Sequence, residues 1–183
     1  GGPRIVVIDA LYSTDGSIGE VARYLEICEQ NPAVLVLDEA HSFGLFGGGG
    51  GLAVELGLAD RVHFRTVSLN KALGGHGGLI AGSGEMMRLV RARCRSIIFS
   101  SATSSVSAGG HLAALETIVS DPGRARRCLD NAEILRRRFH AHGIDTGDSR
   151  CQIVSIAFAD AQPTSEFYAR LRKAGTLTSV FLY

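Results

Sequence analysis

The 183-residue sequence predicts an α/β fold with a largely parallel central sheet, followed by the start of a smaller α+β lobe. Three observations carry that expectation. Short apolar runs alternate with helical patterns through the first half, as buried parallel strands joined by crossover helices require. At 45% hydrophobic and 20% charged residues, the chain has the composition of a protein able to bury a core. After Ser105 the texture changes, and two long helical patterns lead into a strand–helix–strand succession.

Arg4-Ile-Val-Val-Ile-Asp9 is continuous enough in apolar character to be a buried strand, and residues 18–30 follow as an amphipathic helix. Ala33-Val-Leu-Val-Leu-Asp38 is a second buried strand, residues 62–69 a third and 79–82 a fourth. Residues 106–119 and 123–142 are helical patterns. The second carries Arg124, Arg126, Arg127, Arg136, Arg137 and Arg138, a face read as solvated because acidic residues balance it across the chain. Residues 152–158, 165–174 and 177–183 then read strand, helix, strand. The division this suggests is 1–120, part of a large domain, and 121–183, a linking helix with part of a smaller one. Because the chain opens directly before a strand and stops inside an apolar run, it is expected to be an internal fragment of a longer protein.

A formal net charge of +1 supplies no general attraction to nucleic acid or anionic membrane. The longest aliphatic runs, 5–8 and 33–37, are far too short to span a bilayer. No secretory signal is visible. Cys28, Cys94, Cys128 and Cys151 are scattered without paired metal spacing, and read as reduced, mostly buried thiols of a cytoplasmic protein. Of the 23 glycines, Gly47 to Gly51 form an unbroken run, read here as a flexible surface loop, and Gly74, Gly75, Gly77 and Gly78 crowd a second stretch.

The second strand delivers Asp38, Glu39 and His41 at its carboxyl end, where open α/β sheets bind ligands. Asp38 could equally cap the following segment, with His41 solvated. The Asp-Glu-Ala-His tetrad also matches the magnesium-binding motif of one helicase class, and Ser101-Ala102-Thr103 mimics that class's downstream motif. No Gly-x-x-x-x-Gly-Lys-Ser/Thr phosphate loop accompanies them. Between the two lies Ser68-Leu-Asn-Lys71-Ala-Leu-Gly-Gly-His-Gly-Gly78, a lysine after a strand, wrapped in glycines. Lysine normally sits on a solvated face. In an apolar crevice it becomes a nucleophilic amine able to form a Schiff base. Lys71 lies 33 residues beyond Asp38, long enough for a crossover that sets the two strand ends side by side. An aspartate with a Schiff-base lysine is what a pyridoxal phosphate site requires. A nearby hydroxyl and imidazole can hold the ring phenolate, while serines and main-chain amides bind the phosphate.

Tyr12-Ser-Thr-Asp-Gly16, Asp38-Glu-Ala-His-Ser42, the Ser68 to Gly78 stretch and Ile98-Phe-Ser-Ser101 occur in the order and approximate spacing of a known family. On these motifs the chain resembles the α-oxoamine synthases, fold type I pyridoxal 5′-phosphate enzymes. The resemblance runs from about Val6 to at least Gly143 and more loosely to Tyr183. It implies that Lys71 carries the cofactor as a Schiff base, that Asp38 partners the pyridine nitrogen, and that His41 contacts the ring hydroxyl and helps position acyl transfer. It further implies that Ser13 lies near the ring hydroxyl and substrate, and that Ser68 binds the phosphate. Ser100 and Ser101 would reach the phosphate of a neighbouring subunit, giving a homodimer with shared active sites.

The implied reaction condenses an amino acid with an acyl-CoA or other acyl thioester to an α-aminoketone, usually with decarboxylation. An aminotransferase on the same cofactor is the alternative within the fold type. A helicase fragment and a non-catalytic fragment are alternatives outside it. Three departures stand out: Ser68 replaces a usual threonine, Asn70 a usual serine, and the all-glycine run a turn that often includes an arginine. The family's ring-stacking residue and its substrate-carboxylate arginine have no counterpart in these 183 residues, so this stretch alone is expected to be inactive.

Overall fold

Parallel strands pair only if the chain crosses back between them to the same end of the sheet. The computed structural model, which describes residues 2–182, does this twice. Its four-stranded sheet has the order β1 (Arg4–Asp9), β2 (Ala33–Asp38), β3 (Phe64–Ser68), β4 (Gly78–Gly82). β1, β2 and β3 are parallel, whereas β4 runs antiparallel to β3. The direction of β4 follows from its connection. Residues 69–77 are too few for a crossover, so the chain must fold straight back.

Helix α1 (Val21–Gln30) makes the first crossover. Its buried residues, Val21, Leu25 and Cys28, repeat at the spacing of one helical face and form the core with the fully buried Leu35 and Leu37 of β2. The helix starts later than residue 18 because Ile18 bridges to Leu11 and the Gly19 amide donates to the Ala10 carbonyl at 3.0 Å, which holds this stretch extended.

The five-glycine run is a packed turn, contrary to its reading as a flexible loop. Gly47–Gly49 form a 3-10 turn with Gly49 buried, and α2 (Leu52–Glu55) follows. The reason is Glu39, which is fully buried. Its Oε1 accepts from the Ala53 amide at 3.0 Å and from Arg65 Nε at 3.2 Å, and its Oε2 from the Ser42 hydroxyl at 3.1 Å. Arg65 also donates to the Gly50 carbonyl. Gly51, at φ +97°, lies where a methyl group would overlap the Glu39 carboxylate.

Like α2, two further helices had no counterpart in the sequence pattern, α3 (Gly84–Arg93) and α4 (Arg95–Ile98). Ser83 caps α3 by accepting from the Met86 amide, and Glu85 and Arg91 complement the helix dipole at opposite ends. Ser104 caps α5 (Ser105–Ser120) in the same way through the Ser107 amide at 3.2 Å. Then come α6 (Gly123–Ala141) and α7 (Ala161–Lys173).

The chain divides into two compact units, residues 2–12 with 18–130, and residues 13–17 with 131–182. The second holds most of α6, all of α7 and the turn at 13–17, to which Ser155 donates a hydrogen bond at the Thr14 carbonyl, 2.9 Å. Among the described residues, neither 152–158 nor 177–182 is a strand, although both were expected to be; Tyr183 lies outside the described residues. Apolar β-rich sequence becomes a strand only when a ladder partner satisfies its backbone. Arg136 departs from the solvated face expected of α6. It is buried, donates to the Cys151 carbonyl at 2.5 Å and pairs with Glu133 at 3.0 Å, while the other five arginines are exposed. All four cysteines are free; Cys28 and Cys151 are buried, Cys94 is half-buried and Cys128 exposed, so fewer are buried than expected.

The packing of the glycine run yields a paired test. Gly51→Ala forces a side chain into a left-handed backbone and onto a buried carboxylate, and should cost about 2–4 kcal/mol in urea unfolding. Gly48→Ala, at φ +64° but with open space around it, should cost about 1–2 kcal/mol. Equal losses would contradict the buried contact.

Candidate functional site

Successive residues of a strand point to opposite faces of the sheet. At the end of β2 this sends Glu39 into the core beside Arg65 and leaves Asp38 on the other face. There the register sets Asp38 between Asp9 of β1 and Thr66 of β3. The Thr66 hydroxyl donates to Asp38 Oδ2 at 2.7 Å, and the Ala40 amide donates to Oδ1 at 2.8 Å. Asp38 therefore caps the following turn and also belongs to a group of charged residues. Each of its oxygens keeps acceptor capacity, since a carboxylate offers about four lone-pair sites.

His41 is half-buried in the turn after β2. Burial pushes its pKa down and the positive charge of Lys71 pushes it further, against the opposing carboxylates of Asp38 and Asp9. Asp9 is displaced the other way. Burial pushes its carboxyl up and neighbouring Asp38 adds to that, while His41 and Lys71 oppose it. These couplings place two carboxylates, one imidazole and one ammonium in a single electrostatic cluster. Asp9 and Thr66 are the members that sequence reasoning missed. The available signal was that Asp9 ends the first strand as Asp38 ends the second.

Lys71 lies in the turn between β3 and β4. Leu69 donates to the Gly77 carbonyl at 3.0 Å, Gly75 to Leu69 at 2.9 Å and Gly74 to Lys71 at 3.0 Å. Gly74 and Gly77 take φ of +59° and +98°, conformations that favour glycine. Lys71 itself is exposed, not enclosed in an apolar crevice; Leu73 is the residue of this turn that buries its side chain. The turn abuts the one carrying His41, for a methyl on Gly44 would press on Ala72. Ser68 ends β3 two residues beyond Thr66, hence on the same face, and its hydroxyl donates to the Asn70 side chain.

Asp38, His41 and Lys71 are thus brought together, with Ser68 on the adjoining strand end. Ser100 and Ser101 lie on the exposed link between α4 and α5, with the Ser100 hydroxyl on the Ile97 carbonyl at 3.3 Å. Ser13 is exposed in the turn at 13–17 of the second unit.

A family model for aminotransferase class I and II matches residues 1–180. The chain is 38% identical over 173 residues to 8-amino-7-oxononanoate synthase of Anaeromyxobacter dehalogenans, which covers 94% of this chain and 44% of that protein. It is 30% identical, with the same shares, to the enzyme of that name from Thermosipho melanesiensis. Serine palmitoyltransferase from S. paucimobilis, solved with a bound PLP–myriocin aldimine, superposes with a TM-score of 0.91 at 23% identity, over 97% of this chain and 47% of that one. 8-Amino-7-oxononanoate synthase from Francisella tularensis superposes at 0.84 and 20% identity, over 100% and 54%. These solved structures share the fold. The chain spans less than half the length of the curated relatives it matches. Among the described residues, no helix is long and apolar enough to cross a membrane.

The cluster predicts a pH signature. By NMR titration of the cofactor-free protein, His41 should lose its proton below the ordinary value of about 6.5, so it is neutral at pH 7. Lys71→Ala removes a positive neighbour and leaves both carboxylates, so the midpoint should rise. A midpoint unmoved by that substitution would contradict the coupling.

Proposed function

Because the chain belongs to the aminotransferase class I and II family, and within it to the α-oxoamine synthases, we propose that it is part of a pyridoxal 5′-phosphate-dependent acyltransferase. The protein would join an amino acid to an acyl-CoA or other acyl thioester. In that reaction the α-carbon bonds to the acyl carbonyl carbon, the thiol departs, and the amino acid carboxylate leaves as CO2 in the usual case, giving an α-aminoketone. One observation carries the reading: Lys71, Asp38 and His41 share one cluster at the carboxyl ends of adjacent parallel strands.

The residues present fit the cofactor. Lys71 offers a primary amine for its aldehyde, and Asp38 keeps acceptor sites beyond those used by Thr66 and Ala40. When bound, pyridoxal phosphate supplies an electron sink for a carbanion at the substrate α-carbon. Asp38 keeps the ring nitrogen protonated through its charge. His41, held neutral by burial and Lys71, can hydrogen-bond the ring hydroxyl without adding positive charge, and helps place the acyl donor. Lys71 Nζ, as a free amine, would be the base that takes the α-proton. Ser68 contributes a hydroxyl to the phosphate and Ser13 one near the ring hydroxyl. The helicase reading of the tetrad falls with family membership.

The assembly proposed is a homodimer in which Ser100 and Ser101 reach the phosphate held by the other subunit. Their exposed position supports this, as does neighbouring Phe99, which is 78% exposed.

In the full-length protein, Lys71→Ala should abolish the borohydride-trapped cofactor adduct, located by mass spectrometry. An undiminished adduct, or one on another lysine, would overturn the assignment. Product analysis separates the two activities: an α-aminoketone from acyl-CoA supports the proposal, and amino-group transfer to a keto acid instead favours an aminotransferase.

For the shared site, Ser101→Ala and Lys71→Ala proteins, each inactive alone, should recover activity when mixed into hybrid dimers. Verified hybrids without recovery would exclude a site built from two subunits.

A further inference from the structure

Helix α5 carries a buried histidine that the cluster above does not use. His111 is 8% exposed, and its Nε2 accepts a hydrogen bond from the main-chain amide of His76 at 3.1 Å. In this contact Nε2 is the acceptor, a role open to an imidazole nitrogen that carries no hydrogen. The contact depends on the absence of a side chain at Gly75, where a methyl group would overlap the imidazole. Both Gly75 and His76 belong to the turn that carries Lys71.

The same helix reaches the other turn of the site. Ile118 lies two helical turns beyond His111, on the same face. A methyl on Gly49 would overlap the Ile118 side chain, and one on Gly44 would come within 3.6 Å of Ile118 Cδ1. Thus one face of α5 meets the Lys71 turn through His111 and the His41 turn through Ile118. Two loops that both need glycine are braced against a single rigid element.

From this geometry we propose that His111 is a positioning residue: its hydrogen bond to His76 fixes the Lys71 turn against α5, and so sets Lys71 relative to Asp38 and His41. The consequence for cofactor chemistry rests on the function proposed above; the brace itself does not. His111 acts through an acceptor atom and not through bulk alone. Leucine fills similar space without an acceptor, whereas glutamine offers Oε1 at a similar reach.

The test uses the full-length protein with His111→Leu and His111→Gln. In the cofactor-free state, hydrogen exchange across residues 71–77 should accelerate at least tenfold in His111→Leu and return close to wild type in His111→Gln. With pyridoxal phosphate bound, the pH midpoint of its visible absorption band should shift in the first variant and be restored in the second. Equal exchange in all three proteins, or equal behaviour of the two variants, would overturn the proposal. So would a loosened turn with an unmoved pH midpoint, since Lys71 would then be indifferent to the brace. A wild-type protein that takes up no cofactor would sink the proposed function, and the exchange data would still decide the brace.

Should His111→Leu fail to fold, Gly75→Ala presses on the same imidazole from the other side. Its loss of protection should shrink when His111→Ala is added. Additive losses would refute the contact.

Discussion

Two consecutive carboxylates leave the end of β2 toward opposite faces of the sheet, and the candidate site depends on that alternation. Glu39 enters the core, where it is fully buried against Arg65 of the neighbouring strand. A buried charge survives only when paired and hydrogen-bonded, and removing one partner of such a pair typically costs about 3–5 kcal/mol. Glu39 meets the condition with Arg65, the Ser42 hydroxyl and the Ala53 amide. The turn between Asp38 and Ser42, which includes His41, is thereby tied to β3 and to the start of α2. Asp38, on the opposite face, can present its carboxylate outward because its neighbour anchors the backbone inward.

Glycine plays the complementary part. Gly51 admits the Glu39 carboxylate, Gly49 admits Ile118, Gly44 admits Ala72 and Gly75 admits His111. Each is a place where a side chain would push two elements apart. The five-glycine run, read from the sequence as a flexible loop, is therefore a closely packed connection beside the site. Arg65 adds a further point. The resembled family often has an arginine in its turn after Asp-Glu-Ala-His, and here that turn is all glycine. In this chain the Arg65 guanidinium, from β3, reaches the Gly50 carbonyl and the Glu39 carboxylate.

The electrostatics of the open face follow from crowding four titratable groups there. Asp9 and Asp38 stand side by side in register, and the pKa of Asp9 rises through burial first and the neighbouring Asp38 charge second. His41 feels Lys71 more strongly than either carboxylate, and burial moves it the same way.

The sequence by itself determined β1 to β4, α1, α5, α6 and the candidate trio of Asp38, His41 and Lys71, because their signals are local. Apolar runs of strand length, a helical repeat of Val21, Leu25 and Cys28, and a lysine among glycines are each read within a dozen residues. Tertiary structure decided what depends on distant partners. The glycine run became a packed turn because Glu39 and Ile118 fill the space beside it. Arg136 left the solvated face because the Cys151 carbonyl needed a donor. Asp9 and Thr66 joined Asp38 through strand register, which no single segment contains. Residues 152–158 carry β-rich sequence without becoming a strand, because a strand is a property of a pair of backbones, and composition specifies only one of them.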